Sequence, residues 1–82
     1  MDKNDIVAII GAKASEVLPV LEDHRFVAED SLKDLGANSI DRAEILAEVL
    51  SELNLAIPRV ELFGPRNIGE LADLLLGKLP SA

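Results

Sequence analysis

The stretch Asp34-Leu35-Gly36-Ala37-Asn38-Ser39-Ile40-Asp41 holds the residues best suited to chemistry. Ser39 stands where a loop meets the start of a helix, a place where a hydroxyl is exposed and unpaired backbone amides point outward. The positive end of the helix macrodipole stabilises a phosphate diester there, so this serine is placed to bear a covalent, phosphate-linked arm. Serine is also a frequent N-cap, and taken alone these residues favour that structural role. Hydrolytic chemistry is the weakest reading. The chain has a single histidine and no cysteine, and no nucleophile elbow surrounds Ser39, so a general base for hydrolysis is not implied.

Charge follows the serine along the chain. Asp41, Glu44, Glu48 and Glu52 recur at steps of three, four and four, which puts them along one side of a helix. Rows of this kind usually only solvate an outer face, but next to an attachment serine the row fits a docking stripe for a basic partner. Ile45, Leu46, Val49 and Leu53 form a separate arc and are expected in the core. Ile40, Ala43, Ala47 and Leu50 lie on the flank between core and stripe and are expected to be part exposed. Arg42 follows Ser39 by one turn, within reach of an arm's phosphate or a partner's carboxylate, although an ion pair with Asp41 or Glu44 is the plainer role. His24 has no metal-ligand cluster around it, and with Arg25 it is expected in a solvated loop.

The elements that must position these residues are helical. Ile6, Ile9, Ile10, Lys13, Ala14 and Val17 mark one face of a first helix over Asn4 to Leu18, capped by Asn4 or Asp2 and stopped or kinked by Pro19. Between Pro19 and Asn38 the periodicity fades, with Phe26, Val27, Leu32 and Leu35 as anchors and a short turn before Gly36. A second helix runs from Ser39 to Leu53 and is ended by Asn54. A short third piece spans Arg59 to Phe63 and is closed by Gly64-Pro65. The last helix starts on a capping-box pattern, Asn67 with Glu70, and is bracketed by Gly77 and Pro80. The expected fold is all-α, three main helices plus a short third one, in a single domain over residues 1–82.

Composition narrows the partners. With 8 Lys and Arg against 15 Asp and Glu, the formal net charge of -7 repels phosphate backbones and anionic membranes, so nucleic acid and membrane are not expected partners. Basic protein surfaces are. Phe26 and Phe63 are the sole aromatics, too few for base stacking. The absence of cysteine is compatible with a reducing cytoplasm, and no apolar run approaches the roughly 20 residues of a membrane span. A cytoplasmic monomer is expected.

The run Asp34-Leu35-Gly36 to Ser39-Ile40 resembles the phosphopantetheine signature of the acyl carrier family, Asp-Leu-Gly, one variable residue, then Asp-Ser-Leu. Asn38 departs from the usual aspartate and Ile40 from the usual leucine. The resemblance covers the whole chain in helix order, loop length and size. It implies a small four-helix bundle in which Ser39 takes 4'-phosphopantetheine from coenzyme A through a phosphopantetheinyl transferase and carries acyl groups as thioesters, without chemistry of its own. Asn38-Ser39-Ile40-Asp41-Arg42-Ala43-Glu44-Ile45, Ile57-Pro58-Arg59-Val60-Glu61-Leu62 and Asn67-Ile68-Gly69-Glu70-Leu71-Ala72-Asp73-Leu74 more narrowly resemble the discrete donor carriers of polyketide β-branching. That resemblance implies an acyltransferase that loads malonyl, a ketosynthase-like decarboxylase that leaves acetyl, and an HMG-CoA synthase-like enzyme that accepts it. The initiator methionine and an end soon after the last helix agree with a free-standing protein. An ordinary polyketide or fatty-acid carrier, or a non-carrier acidic interaction module, are the alternatives. The expected partner-docking residues are Asn38, Ile40, Asp41, Arg42, Ala43, Glu44, Ala47, Glu48, Arg59 and Val60. Phe63 is placed in the core in preference to the docking face, and Val60 is left open between the two.

Overall fold

The computed structural model describes residues 1–79, apart from the side chain of Arg59. It contains four helices, α1 (Lys3–Val17), α2 (Ser39–Leu53), α3 (Arg59–Leu62) and α4 (Ile68–Lys78), with a 3₁₀ turn at Pro19–Leu21 and no strand among the described residues. Each main helix starts on a side-chain cap. Asp2 accepts from the Asp5 amide at 2.9 Å while the Asp5 carboxylate accepts from the Asp2 amide at 3.0 Å, so Asp2 and not Asn4 caps α1. At α4 the box is only half made. Asn67 accepts from the Glu70 amide at 2.8 Å, but Glu70 reaches back to the amide of Arg66 at 3.2 Å instead of to Asn67. Asn54 ends α2 in the left-handed region at φ 55°, a conformation asparagine tolerates better than most residues.

The helix ends sit close to their expected places. α1 begins and ends one residue earlier, at Lys3 and Val17, because Asp2 supplies the cap and Leu18 leaves the helical region before Pro19. α3 closes at Leu62, with Phe63 as its cap residue. Gly77 lies inside α4, which continues to Lys78, and Pro80 is outside the described residues.

Apolar side chains from the three long helices meet in one core: Ile6, Ile10 and Ala14 of α1, Ile45, Val49 and Leu53 of α2, and Ile68, Leu71, Ala72 and Leu75 of α4. Leu21, Leu32, Ala37 and Leu62 close it from the connections and α3. Leu46 is only partly buried, because it looks toward the gap between α2 and α3. Lys13, on the inward side of α1, runs its stem between helices and brings its ammonium within 3.7 Å of both Glu16 and Glu52.

The irregular segment between Leu21 and Asn38 is fixed by backbone bonds to α4. The amides of Ile68 and Gly69, which no intrahelical carbonyl can satisfy, donate to the carbonyls of Asp30 and Ala28, both at 2.8 Å. Gly69 is required at this approach, since a Cβ there would sit 2.8 Å from the Ala28 Cβ and 3.0 Å from its carbonyl oxygen. At Gly11 a Cβ would meet Phe26 Cδ2 at 2.7 Å, Cγ at 2.9 Å and Cβ at 3.3 Å, the base of a side chain whose position the backbone fixes. Alanine raises helix propensity by about 1 kcal/mol at either glycine. Overpacking against fixed backbone costs about 1–3 kcal/mol. Urea denaturation is therefore expected to show both Gly69→Ala and Gly11→Ala destabilised.

Two readings of this segment are corrected. Val27 is 44% exposed and anchors nothing by its side chain; its amide donates to Asp30 Oδ2 at 2.9 Å. His24 is not simply solvated. Its Nε2 lies 2.9 Å from the same Asp30 oxygen, and its ring stands edge-on to Phe26 with centroids 4.8 Å apart. The Val27 amide, and after it His24, hold the Asp30 carboxyl below its ordinary value of 3.8. A carboxylate with a lowered folded pKa contributes stability that is complete above 3.8 and is lost as pH falls through the lower folded value. Asp30→Asn is thus expected to cost about 1–2 kcal/mol at neutral pH, and the gap to the parent to narrow in denaturation curves taken below pH 3.8.

Candidate functional site

The approach to α2 is built residue by residue. The amides of Leu35, Gly36 and Ala37 donate to the carbonyls of Ser31, Lys33 and Leu32 at 3.0, 3.1 and 3.0 Å, winding the chain into a tight turn. Gly36 sits at φ +104°, a backbone conformation that a side chain would strain. Ala37 is then driven into the core and fixes the base of the helix.

Asn38 is the N-cap. Its Oδ1 accepts from the Asp41 amide at 2.8 Å, and Asp41 Oδ2 accepts from the Asn38 amide at 3.2 Å, a complete capping box. This settles the competition at Ser39: the capping role belongs to its neighbour. Ser39 is the first residue of α2, is exposed, and its hydroxyl makes no hydrogen bond among the described residues. The amides of Ser39 and Ile40 are first-turn donors without an intrahelical acceptor, so the ground beside the hydroxyl favours an anion. The other described serines differ. Ser15 Oγ donates to the carbonyls of Gly11 and Leu21 at 3.0 and 3.2 Å, Ser31 Oγ accepts from the Asp34 amide at 3.5 Å, and Ser51 lies in the last turns of α2, where the dipole opposes a phosphate. A phosphodiester therefore fits Ser39 on exposure, a free hydroxyl and local charge together.

The acidic row on α2 is divided by its contacts. Asp41 is spent on the cap and Glu52 on Lys13, 3.7 Å away. Glu44 and Glu48 are exposed and join no ion pair among the described residues, so they are the part of the row available to a partner. Beside them Ile40 is 76% exposed, Phe63 across the helix gap is 75% exposed, and Val60 of α3 is 76% exposed. Phe63 is therefore a surface residue and not a core plug. Helix α3 makes a single turn in which Leu62 takes the buried position, and Phe63, the residue after it, is carried past the core to the surface. Ala43, Leu46, Ala47, Leu50, Ile57, Leu62 and Phe63 line an apolar groove of about 150 Å³ between α2 and α3. Surface apolar groups gathered next to exposed charge mark an interaction site.

Arg42 is half-buried and makes no ion pair with Asp41 or Glu44; it lines a second, larger groove of about 390 Å³ with Leu46, Leu62, Phe63 and others. Arg59 opens α3, and its side chain lies outside the described residues. Asn38 thus caps α2, Ser39, Ile40, Ala43, Glu44, Ala47 and Glu48 lie in its first ten residues, and Phe63, just after α3, lines one groove with Ala43 and Ala47. The sequence offered Phe63 for the docking face but favoured the core, and its 75% exposure reverses that preference. Among the described residues no group of three or more His, Cys, Asp or Glu is placed to hold a metal ion, and no helix is long and apolar enough to cross a membrane.

The chain is similar to known proteins in sequence and fold. The phosphopantetheine attachment site family matches residues 8–75. The polyketide biosynthesis acyl-carrier-protein AcpK of Bacillus subtilis (strain 168) is 54% identical over 82 residues, 100% of both chains. An acyl carrier protein of Cyanidium caldarium is 25% identical over 77 residues, 94% of this chain and 90% of that one. Among solved structures, a chain from the crystal structure of the curacin biosynthetic pathway HMG synthase in complex with acetyl donor-ACP superposes with a TM-score of 0.89 at 49% identity, covering 95% of this chain and 100% of that one.

Proposed function

Because the chain belongs to the phosphopantetheine-bearing acyl carrier family, we propose that Ser39 is its attachment serine and that the loaded protein donates acetyl to an HMG-CoA synthase-like enzyme of polyketide β-branching. The observation that carries the attachment is the division of labour at the start of α2, where Asn38 caps the helix and leaves the Ser39 hydroxyl exposed and unbonded. Ser39 Oγ forms the new phosphodiester bond, the adenosine 3',5'-bisphosphate half of coenzyme A leaves, and the hydroxyl proton passes to a base of the transferase. When bound, phosphopantetheine supplies the thiol on which acyl groups are carried.

The remaining residues provide an address. Glu44 and Glu48 orient a basic partner, while Ile40, Ala47, Val60 and Phe63 give it an apolar surface to close on. An acyltransferase and a ketosynthase-like decarboxylase meet the same face in turn. Support for the donor role comes from the likeness to AcpK and to the chain solved in the HMG synthase complex. Acetyl-loaded protein offered to a β-branching HMG synthase is expected to transfer at least tenfold faster than an acetyl-loaded carrier excised from an ordinary polyketide module. Equal transfer from both would leave a general carrier and defeat the donor assignment.

A further inference from the structure

The groove that Arg42 borders has a charge character unlike the rest of the molecule. The chain carries 15 acidic against 8 basic residues, yet the described lining of this groove holds Lys33, Arg42 and Arg66 and no carboxylate. Three other cations are committed elsewhere, Lys3 to Asp73, Lys13 to Glu16 and Glu52, and Lys78 to Glu61. Lys33, Arg42 and Arg66 join no ion pair among the described residues. Glu70 stays outside the lining and accepts from the Arg66 backbone amide at 3.2 Å.

Those cations come from three parts of the chain, the turn before α2, α2 itself and the segment leading into α4, and they share the groove's lining with the buried apolar residues Leu32, Leu62 and Ile68. Cations held around apolar surface are attracted to an anion that brings a short carbon chain with it. The groove also lies within reach of the attachment point. Ser39, Arg42 and Leu46 are spaced three and four apart on one face of α2, and three residues advance only about 4.5 Å along a helix.

Resting on the assignment of Ser39 as the attachment serine, we infer that this groove is a holding site for a short acyl group that ends in a carboxylate. Arg42 and Arg66 take the carboxylate, Lys33 adds charge at the rim, and Leu62 and Phe63 cover the carbon chain. Neutral acyl groups of the same length find only the apolar floor. The site thus separates two states of the cargo. Once an enzyme of the decarboxylase class removes the carboxylate as carbon dioxide and a proton takes its place, the only anion left near the three cations is the phosphodiester on Ser39, which both states share.

The test uses the full chain loaded through a phosphopantetheinyl transferase with malonyl, succinyl, acetyl or butyryl coenzyme A, each product confirmed by intact mass. Amide shifts are then read by ¹⁵N NMR at low salt. Malonyl and succinyl arms are expected to move the amides of Lys33, Arg42, Arg66 and Ile68, with a groove-bound fraction about tenfold above that of acetyl or butyryl. The shifts should collapse toward the acetyl pattern in 1 M salt, and in Arg42→Gln/Arg66→Gln, and be largely restored in Arg42→Lys/Arg66→Lys. Full loading with indistinguishable malonyl and acetyl spectra overturns this inference and leaves the carrier reading standing. Shifts that persist in the glutamine variant also overturn it. Absence of a mass gain on Ser39 overturns the attachment assignment, and the inference with it.

Discussion

Ser39→Ala is expected to leave the bundle as stable as the parent while abolishing all acyl delivery, and Asn38→Ala to do the reverse. The two residues are adjacent but differ in what they touch. Ser39 is exposed at the first position of α2 with an unbonded hydroxyl, so alanine there removes no contact and slightly favours the helix. Its thermal midpoint should lie within a few degrees of the parent's. Asn38 accepts from the Asp41 amide at 2.8 Å, and its loss strands a first-turn donor. Cap removal costs about 1 kcal/mol, which in a domain of this size lowers the midpoint by about 4–8 °C. Asn38→Ala should still accept the arm. If Ser39→Ala instead melted as early as Asn38→Ala and retained delivery, the hydroxyl would be a structural group and another serine the attachment point.

Reversing Glu44 and Glu48 to lysine together is expected to lower kcat/KM for acyl transfer to the HMG-CoA synthase-like partner by about tenfold at low salt, the lower end of what electrostatic steering supplies. The difference should shrink as salt rises, since the screening length falls from about 10 Å at 0.1 M to about 3 Å at 1 M. Helix content should not change, because both carboxylates are exposed and unpaired among the described residues. Glu52→Lys is the control from the same row. It loses the Lys13 contact at 3.7 Å and sets two ammonium groups together, so it should cost stability by up to about 1 kcal/mol while leaving transfer close to normal. Slowing by Glu52→Lys as large, per charge reversed, as that of the Glu44 and Glu48 pair would mean that net charge alone matters, not the address on α2.

Much of this was legible because it is local. The capping chemistry that starts α2 lies within four consecutive residues, Asn38 to Asp41, and the stop at Asn54 needs only one. The resemblance to the carrier signature likewise rests on a short run around Ser39. Spacing also placed the acidic row correctly, yet could not tell that Glu52 would be taken by Lys13 from another helix. Phe63 shows a different limit. A large apolar residue in a chain with two aromatics invites a core position, but a four-residue helix turns only once and Leu62 occupies the inward direction. His24 and Asp30 are six residues apart in a segment without periodicity, so no helical or strand spacing could pair them. The cationic groove is farther still from sequence reading, because Lys33, Arg42 and Arg66 meet only after α2 and α4 pack on the same connection.

Everything proposed about cargo and partners depends on which hydroxyl bears the arm. The direct measurement is intact mass followed by peptide fragmentation after incubation of the native chain with coenzyme A and a broad-range phosphopantetheinyl transferase. A single phosphopantetheine on Ser39, and none on Ser39→Ala, is the predicted result. No gain in mass, or a gain that maps to Ser15, Ser31, Ser51 or Ser81, would contradict it.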